Sequence, residues 1–183
     1  QFRIDRINRF IQFFESGFQL PTIHQADLVY EHEITRNTVI SGSLLLSFGQ
    51  NLPTFVDTNL FNPSGSFGYS IVGGPFAGQI LQVPWFHGTS RLNTNFGAMT
   101  AIRSIVTSKY VGGVVQLNRR LTKGLQFQIN YTRSTARDAG QSSTTFTATN
   151  SPYNAFDPIL GEEGRSSFDI PNKFIANAVW QPE

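Results

Sequence analysis

Residues 125–133 read Leu-Gln-Phe-Gln-Ile-Asn-Tyr-Thr-Arg, an alternation of apolar and polar side chains. Successive side chains of a β-strand point to opposite faces, so a period of two predicts a strand with one apolar and one polar face. The apolar face would carry Phe127, Ile129 and Tyr131. The polar face would carry Gln126, Gln128 and Asn130. The stretch therefore indicates a β-sheet protein whose two faces meet different environments.

The run from Tyr110 to Leu121 alternates in the same way just before this strand. Its apolar positions include Val115 and Leu117. Its polar positions are Gln116, Asn118 and Arg120. The connection Thr122-Lys123-Gly124 has three residues, and a glycine in the left-handed conformation suits such a hairpin.

A second hairpin is predicted earlier in the chain. Residues 25–34 place Leu28, Tyr30 and Ile34 opposite a polar face with Asp27, Glu31 and Glu33. After a turn at residues 35–37, residues 38–48 place Leu44 and Leu46 on their apolar face. A fifth strand is predicted over residues 170–180, with Pro171 near its beginning, where no ladder donor is needed.

Long stretches rich in Gly, Pro, Asn and Ser separate the hairpins. Structureless loops of this length are uncommon in compact domains, whereas outer-membrane barrels combine short periplasmic turns with long extracellular loops. With both short turns in the periplasm, residues 49–97 and 137–168 are expected to be extracellular loops. Residues 98–107 then extend the following strand outward, since a sixth crossing would break the parity. Residues 1–20 are expected to belong to a preceding extracellular loop.

Composition agrees with a barrel. Charged residues make up 14% of the chain and aromatic residues 13%, and there is no Cys. Ordinary domains carry about 25% charged residues. The sequence contains no run of about 18 apolar residues, so no membrane-spanning helix is predicted. The net charge of +2 comes without basic runs interleaved with aromatics, so no nucleic-acid partner is expected.

The predicted fold is therefore an all-β, antiparallel transmembrane β-barrel fragment with about five spanning strands. The whole chain, residues 1–183, is expected to be part of a larger barrel in the outer membrane, facing outer-membrane lipid. The lumen-facing candidates are Glu31, Glu33, Gln116, Asn118, Arg120, Gln126, Gln128 and Asn130. The lipid-facing candidates are Leu44, Leu46, Val115, Leu117, Phe127, Ile129 and Tyr131.

An ordered set of motifs resembles the barrel of TonB-dependent transporters of the Oar-like group. The motifs are Thr35-Arg-Asn-Thr38, Asn51-Leu-Pro-Thr-Phe55, Asp57-Thr-Asn-Leu60, Ser108-Lys-Tyr110, Leu117-Asn-Arg-Arg120, Lys123-Gly-Leu125, Asn130-Tyr-Thr-Arg-Ser134 and Gly164-Arg-Ser-Ser-Phe-Asp169. Where that group tends to have an Arg-His pair after the last Asp, this chain has Ile170-Pro-Asn172. The resemblance implies a barrel of about 22 strands with a plugged lumen. It also implies an unknown transported ligand and a periplasmic TonB-type energy-coupling protein, acting through a plug outside this sequence.

No catalytic, metal or cofactor site is expected. The three histidines, His24, His32 and His87, are not spaced as a ligand cluster. No Gly-x-Ser-x-Gly elbow supports a hydrolase. Asp157 with Glu162 and Glu163 matches no calcium-loop signature. Two other functions remain open: a passive porin or adhesin barrel, and a soluble β-sandwich that binds carbohydrate.

Overall fold

The structure, a computed structural model, describes residues 9–74, 76–85, 91–139 and 164–182. Within those ranges the regular elements are β-strands, and no helix could span a membrane. The strands are β1 (Arg9–Phe14), β2 (Thr22–Thr35), β3 (Thr38–Asp57), β4 (Gly65–Ser70), β5 (Ile80–Trp85), β6 (Phe96–Thr122), β7 (Leu125–Asp138), β8 (Gly164–Arg165) and β9 (Asn172–Trp180). Every strand pair with a described register is antiparallel except β1 with β6. The all-β, antiparallel fold class is confirmed.

The chain divides into two compact units. The first comprises Gln1–Leu20, Asn51–Val106 and Gly140–Glu162, and the second comprises Pro21–Gln50, Thr107–Ala139 and Glu163–Glu183. In the second unit the strand order is β2-β3-β6-β7, with both β8 and β9 paired to β7. We call β2, β7, β9 and the parts of β3 and β6 inside the second unit the strand wall.

The first hairpin of the strand wall joins β2 to β3. Its register runs from Thr22 opposite Gln50 to Thr35 opposite Thr38, which leaves a two-residue turn. The ladder confirms the predicted strands 25–34 and 38–48, and both strands are longer than the period-two pattern indicated. The extra residues add backbone hydrogen bonds that the sequence pattern does not reveal.

The second hairpin joins β6 to β7 through Lys123 and Gly124. Thr122 lies opposite Leu125, and the two turn residues have φ values of 50° and 69°. Positive φ at both central positions is the signature of a type I′ turn, which matches the twist of the flanking strands. The expected three-residue connection is therefore corrected to two residues, because Thr122 belongs to the ladder.

Strand β9 pairs with β7 from Trp180 opposite Leu125 to Asn172 opposite Arg133. The predicted fifth strand is confirmed, although it begins at Asn172 and not at residue 170. Pro171, which has no amide hydrogen, precedes the strand, and its carbonyl accepts a hydrogen bond from the Ser134 amide.

The first unit holds most of the buried apolar side chains. These are Phe55, Val56, Ala98, Ala101, Ile102 and Val106. β6 is continuous from Phe96, so the prediction that residues 98–107 extend this strand is confirmed.

Two expectations about the first unit are wrong. Residues 49–97 were expected to form one long loop, yet β3 continues to Asp57 and β4 pairs with β5 in a hairpin. Gly, Ser and Pro inside these segments hide the alternation on which a strand prediction depends. Residues 9–14, expected in a loop, form β1, which lacks alternation and takes its extended form from pairing with β6. The extracellular location of residues 1–20, 49–97 and 137–168 stays a prediction, and residues 140–163 lie outside the described part.

Candidate functional site

The apolar face of the strand wall follows from the register of β6 and β7. Directly opposite residues of an antiparallel pair lie on the same face. Leu117 is opposite Ile129 and Val115 is opposite Tyr131. Phe127 is two residues from Ile129 and therefore shares its face. The structure thus brings these five predicted residues together.

Strand β9 extends this apolar face on the far side of β7. Phe174 lies opposite Tyr131, and Ala176 lies opposite Ile129. Trp180 closes the face near the turn, opposite Leu125. On the first hairpin, Leu44 pairs with Leu28 and Leu46 pairs with Ala26, so both predicted leucines share one face as well.

The polar face gathers most of the other candidates. Gln116 lies opposite Asn130, and Asn118 lies opposite Gln128. On β2, Glu31 lies opposite Ser41. These pairs place amide, hydroxyl and carboxylate groups side by side, as the sequence predicted.

Some predicted polar positions have apolar neighbours. Gln126 lies opposite Val179, and Glu33 lies opposite Val39. Arg120 falls within a register shift next to the turn, and its amide donates to the Asn37 carbonyl. The polar face is therefore continuous on β6 and β7 and mixed on the neighbouring strands.

The apolar face of the strand wall is unusually exposed. Leu28 is 71% exposed, Val115 53%, Phe174 66% and Trp180 76%. A water-soluble surface rarely carries a contiguous apolar patch of this kind. The polar face includes the buried Oδ1 of Asn130, which has no hydrogen-bond partner among the described residues. An oxygen of this kind needs water or another polar group, because leaving it unpaired is costly.

Exposure also differs between the two faces of β6. Lys109, Gly113 and Val115 on the apolar face are exposed, whereas Tyr110 and Gly112 on the polar face are half-buried or buried. On β7 near the turn the order is reversed, since Gln126 and Gln128 are more exposed than Phe127 and Ile129. Exposure therefore distinguishes the two faces on β6, but not near the turn of β7.

A polar clamp fixes the end of β7 that is remote from its turn. Asp169, whose side chain is 4% exposed, accepts a 2.7 Å hydrogen bond from the Ala136 amide. Ser166 donates its amide to the Ala136 carbonyl, and Arg165 lies 3.4 Å from the Asp169 carboxylate. The sequence signalled these residues only as the motif Gly164–Asp169, without a role.

A second polar clamp lies in the first unit. Asn59 is 1% exposed, and its amide nitrogen donates to the carbonyls of Asn93, Phe96 and Gly97 at 2.7–3.2 Å. Its Oδ1 accepts a 2.7 Å hydrogen bond from the Asn93 amide. Asp57 accepts hydrogen bonds from the amides of Asn59 and Met99 and forms an ion pair with Arg91. The motif Asp57–Leu60 is thus a fastening point that ties a long connection to the start of β6.

A cavity of about 360 Å³ lies beside this clamp in the first unit. Asp57, Thr58, Phe61, Leu92 and Arg103 are among the side chains that line it. Arg103 also forms a 2.9 Å ion pair with Glu15, which follows β1. The charges of the cavity are therefore paired within the unit.

The described residues assemble no metal centre. His24 and His32 lie on the exposed strand β2, and His87 is outside the described part, as are Asp157, Glu162 and Glu163. No group of three or more His, Asp or Glu side chains in the described ranges is placed to hold a metal ion. The strand wall, with its two faces, is therefore the candidate functional site.

Comparison with known families gives the same architecture. A family model described as an outer membrane beta barrel domain matches residues 5–182, which is nearly the whole chain. The chain belongs to this family. It is an outer-membrane protein, and its strand wall is a portion of such a barrel domain. No curated protein and no solved structure matches the chain.

Proposed function

We propose that this outer membrane beta barrel domain is part of a TonB-dependent transporter, similar to the Oar-like group, that moves a ligand across the outer membrane. Its apolar face contacts lipid and its polar face lines a plugged lumen. Import and export of the ligand are both compatible with this role. We propose no catalytic role for the chain.

The observation that carries the proposal is the in-register, two-faced strand wall. A barrel in lipid needs apolar side chains outside and tolerates polar side chains only toward the lumen, and strands that alternate in this way give that arrangement. The unpaired Asn130 oxygen supports the lumen assignment, since water or a plug residue can satisfy it there.

Strand length favours a receptor over a simple pore. A transmembrane strand needs about 9–11 residues to cross the bilayer. β3 has 20 residues and β6 has 27, so both continue far beyond what crossing requires. Strands that project above the membrane can surround a large ligand, which a passive porin does not need.

Three of the motifs that resemble the Oar-like group also make specific structural contacts in this chain. Asp57–Leu60 and Gly164–Asp169 are the two polar clamps, and Lys123–Leu125 contains the type I′ turn. Motifs with such contacts carry more weight as a sign of kinship than matches in unconstrained loops. These contacts therefore support the proposal that the barrel is similar to the Oar-like group of TonB-dependent transporters.

The test is the conductance of the whole barrel that carries this chain, purified and inserted in planar bilayers. We expect no steady open channel, because a plug fills the lumen, and we expect binding of the periplasmic domain of a TonB-type coupling protein. A stable conductance together with no binding of the coupling domain identifies a passive porin. A coding sequence without an upstream plug domain contradicts the proposal as well.

A further inference from the structure

A row of basic side chains crosses three neighbouring strands at the end of the strand wall remote from the Lys123–Gly124 turn. Lys109 of β6 lies opposite Arg137 of β7, and Arg137 lies opposite Arg165 of β8. Like charges directly opposite one another destabilise a sheet. An arrangement of this kind therefore calls for an anion that neutralises it.

The basic row continues the apolar face of the strand wall. Tyr131, Arg133 and Arg137 are separated by even numbers of residues in a strand without register shifts at these positions, so they share one face. The Nζ of Lys109 lies 5.7 Å from the ring centroid of Phe48, which is two residues from Leu46 on the apolar face of β3. Lys109 and Arg137 therefore lie on the same surface as the apolar side chains, on the side of them that is remote from the turn.

The carboxylates of the described residues leave most of this charge uncompensated. Asp169 is 3.4 Å from Arg165, but no carboxylate in the described part of the chain forms an ion pair with Lys109 or Arg137. Asp138 lies opposite Ser108 and forms no ion pair with a described residue, but it lines the same cavity as Lys109 and Arg137, so one carboxylate accompanies the two cations there. All three cations are exposed and available to a ligand.

A small cavity adjoins Lys109 and Arg137, the two cations that form no ion pair within the described ranges. It has a volume of about 260 Å³. Its lining is formed by Phe48, Gly49, Gln50, Thr107, Ser108, Lys109, Arg137 and Asp138. An arginine fork and a lysine ammonium are the groups that bind phosphate oxygens best in proteins.

The height of the row matches the outer boundary of a bilayer. With a rise of about 3.3 Å per residue and a tilt of about 40°, Arg133 lies roughly 23 Å above the turn and Arg137 roughly 33 Å. The apolar band of such a barrel is about 25 Å tall. Arg133 therefore lies near the edge of the hydrocarbon, and the row at Arg137 lies about 8 Å above it, at the level of the outer-leaflet head groups.

We propose that Lys109, Arg137 and Arg165 form a binding site for the phosphate groups of the phosphorylated glycolipid in the outer leaflet. Phe48 and Tyr131 flank the acyl chains below it. The inference rests on the orientation given under the proposed function, with the turn in the periplasm and the apolar face toward lipid. It does not depend on energy-coupled transport.

The test measures how much phosphorylated glycolipid stays on the whole barrel after extraction and washing in detergent, by native mass spectrometry. Lys109→Gln combined with Arg137→Gln should retain at least threefold less lipid than the wild type. The control, Arg36→Gln with Lys123→Asn, removes two positive charges at the opposite end and should retain as much as the wild type. A charge-preserving exchange, Lys109→Arg with Arg137→Lys, should also retain it, which separates charge from misfolding.

Three outcomes overturn the proposal. The first is equal retention by the doubly neutralised variant and the wild type. The second is binding of inorganic phosphate to the lipid-free barrel with the same dependence on Lys109 and Arg137, which would identify a site for a soluble anion. The third comes from a fluorophore at residue 129 in the same barrel: if brominated lipids quench it no better than one at residue 128, the orientation itself fails. Quenching at 129 with unchanged retention contradicts the lipid site alone and leaves the proposed function standing.

Discussion

Individual residues with special geometry decide where the strands turn and where they are fastened. Gly124 has a left-handed backbone, and its carbonyl accepts a 2.7 Å hydrogen bond from the Gln181 amide. A glycine in this turn was predictable, because a short hairpin between two alternating runs requires a positive φ. The contact with Gln181 was not, because it depends on how β9 ends against the turn. Nor could the sequence give Asn59 its buried role, since an asparagine in a Gly- and Pro-rich stretch looks like any turn residue.

Gly124→Ala should destabilise the folded barrel by about 1–3 kcal/mol, the usual cost of a strained backbone conformation. A β-carbon at this position would also collide with the Gln181 carbonyl. Gly113→Ala is the matched control, because its β-carbon would meet nothing within 4 Å, and its effect should stay within about 0.5 kcal/mol. Urea unfolding of the refolded barrel in detergent measures both free energies. Equal losses for the two variants would show that the turn geometry is wrong.

Asn59→Ala should loosen the connection between β3 and β6. The substitution leaves the carbonyls of Asn93, Phe96 and Gly97 without their shared donor, at a cost of about 1–3 kcal/mol for buried groups. Limited proteolysis of intact cells or proteoliposomes should cut the connection faster than in the wild type. Asn62→Ala changes an exposed asparagine in the same connection and should not alter the cleavage rate. Identical cleavage of the two variants would rule out the clamp.

Whole strands were predictable wherever one face is apolar and the other polar. The five strands of the strand wall follow from a period of two, because a one-residue shift would turn every side chain to the wrong face. The period-two pattern did not predict β1, β4 and β5, and the reason is physical. Arg9–Phe14 has no alternation, and Gly65–Ser70 is built from small residues around Phe67 and Tyr69, so pairing with a neighbour and not the pattern makes them strands.

Strand β7 offers a paired substitution that tests its two faces. Ile129 lies roughly 13 Å above the turn, near the middle of an apolar band about 25 Å tall, so Ile129→Arg should cost about 2–4 kcal/mol in lipid. Gln128→Arg, one residue away on the polar face, should cost much less where the plug leaves room. Unfolding titrations in bilayers measure both values. A larger loss for Gln128→Arg would mean that the two faces are assigned the wrong way round.

Within the described residues, the strand wall has two edges, β2 and β9, at which the backbone is paired on one side only. Lipid accepts an exposed apolar face but not unpaired backbone groups, and water accepts neither a large apolar face nor open strand edges, which is why membrane strands close into barrels. The barrel architecture was predictable from the sequence, because charged residues are few and apolar and polar side chains alternate along the strands. The sequence could not give the transported ligand, which would be selected by loops and a plug whose contacts no periodic pattern encodes.

These 183 residues expressed alone in water should aggregate, because about five strands cannot close a barrel and both edges stay open to other copies. Size-exclusion chromatography and light scattering without detergent report the result. The same measurement in detergent, on the whole barrel, is the control and should give a folded, monodisperse species. A cooperatively folding monomer of the isolated chain in plain buffer would favour a soluble β-sandwich instead.

Depth-dependent fluorescence quenching shows whether the apolar face of the strand wall contacts lipid. A fluorophore is placed at residue 129, or at residue 128 in a second sample, of the whole barrel in bilayers of lipids brominated at defined depths. Lipid contact predicts that bromines in the middle of the acyl chain quench the probe at 129 strongly and the probe at 128 weakly, since the two point to opposite faces. Equal quenching at 129 and 128, or stronger quenching at 128, would contradict the claim that this face of the strand wall contacts the membrane.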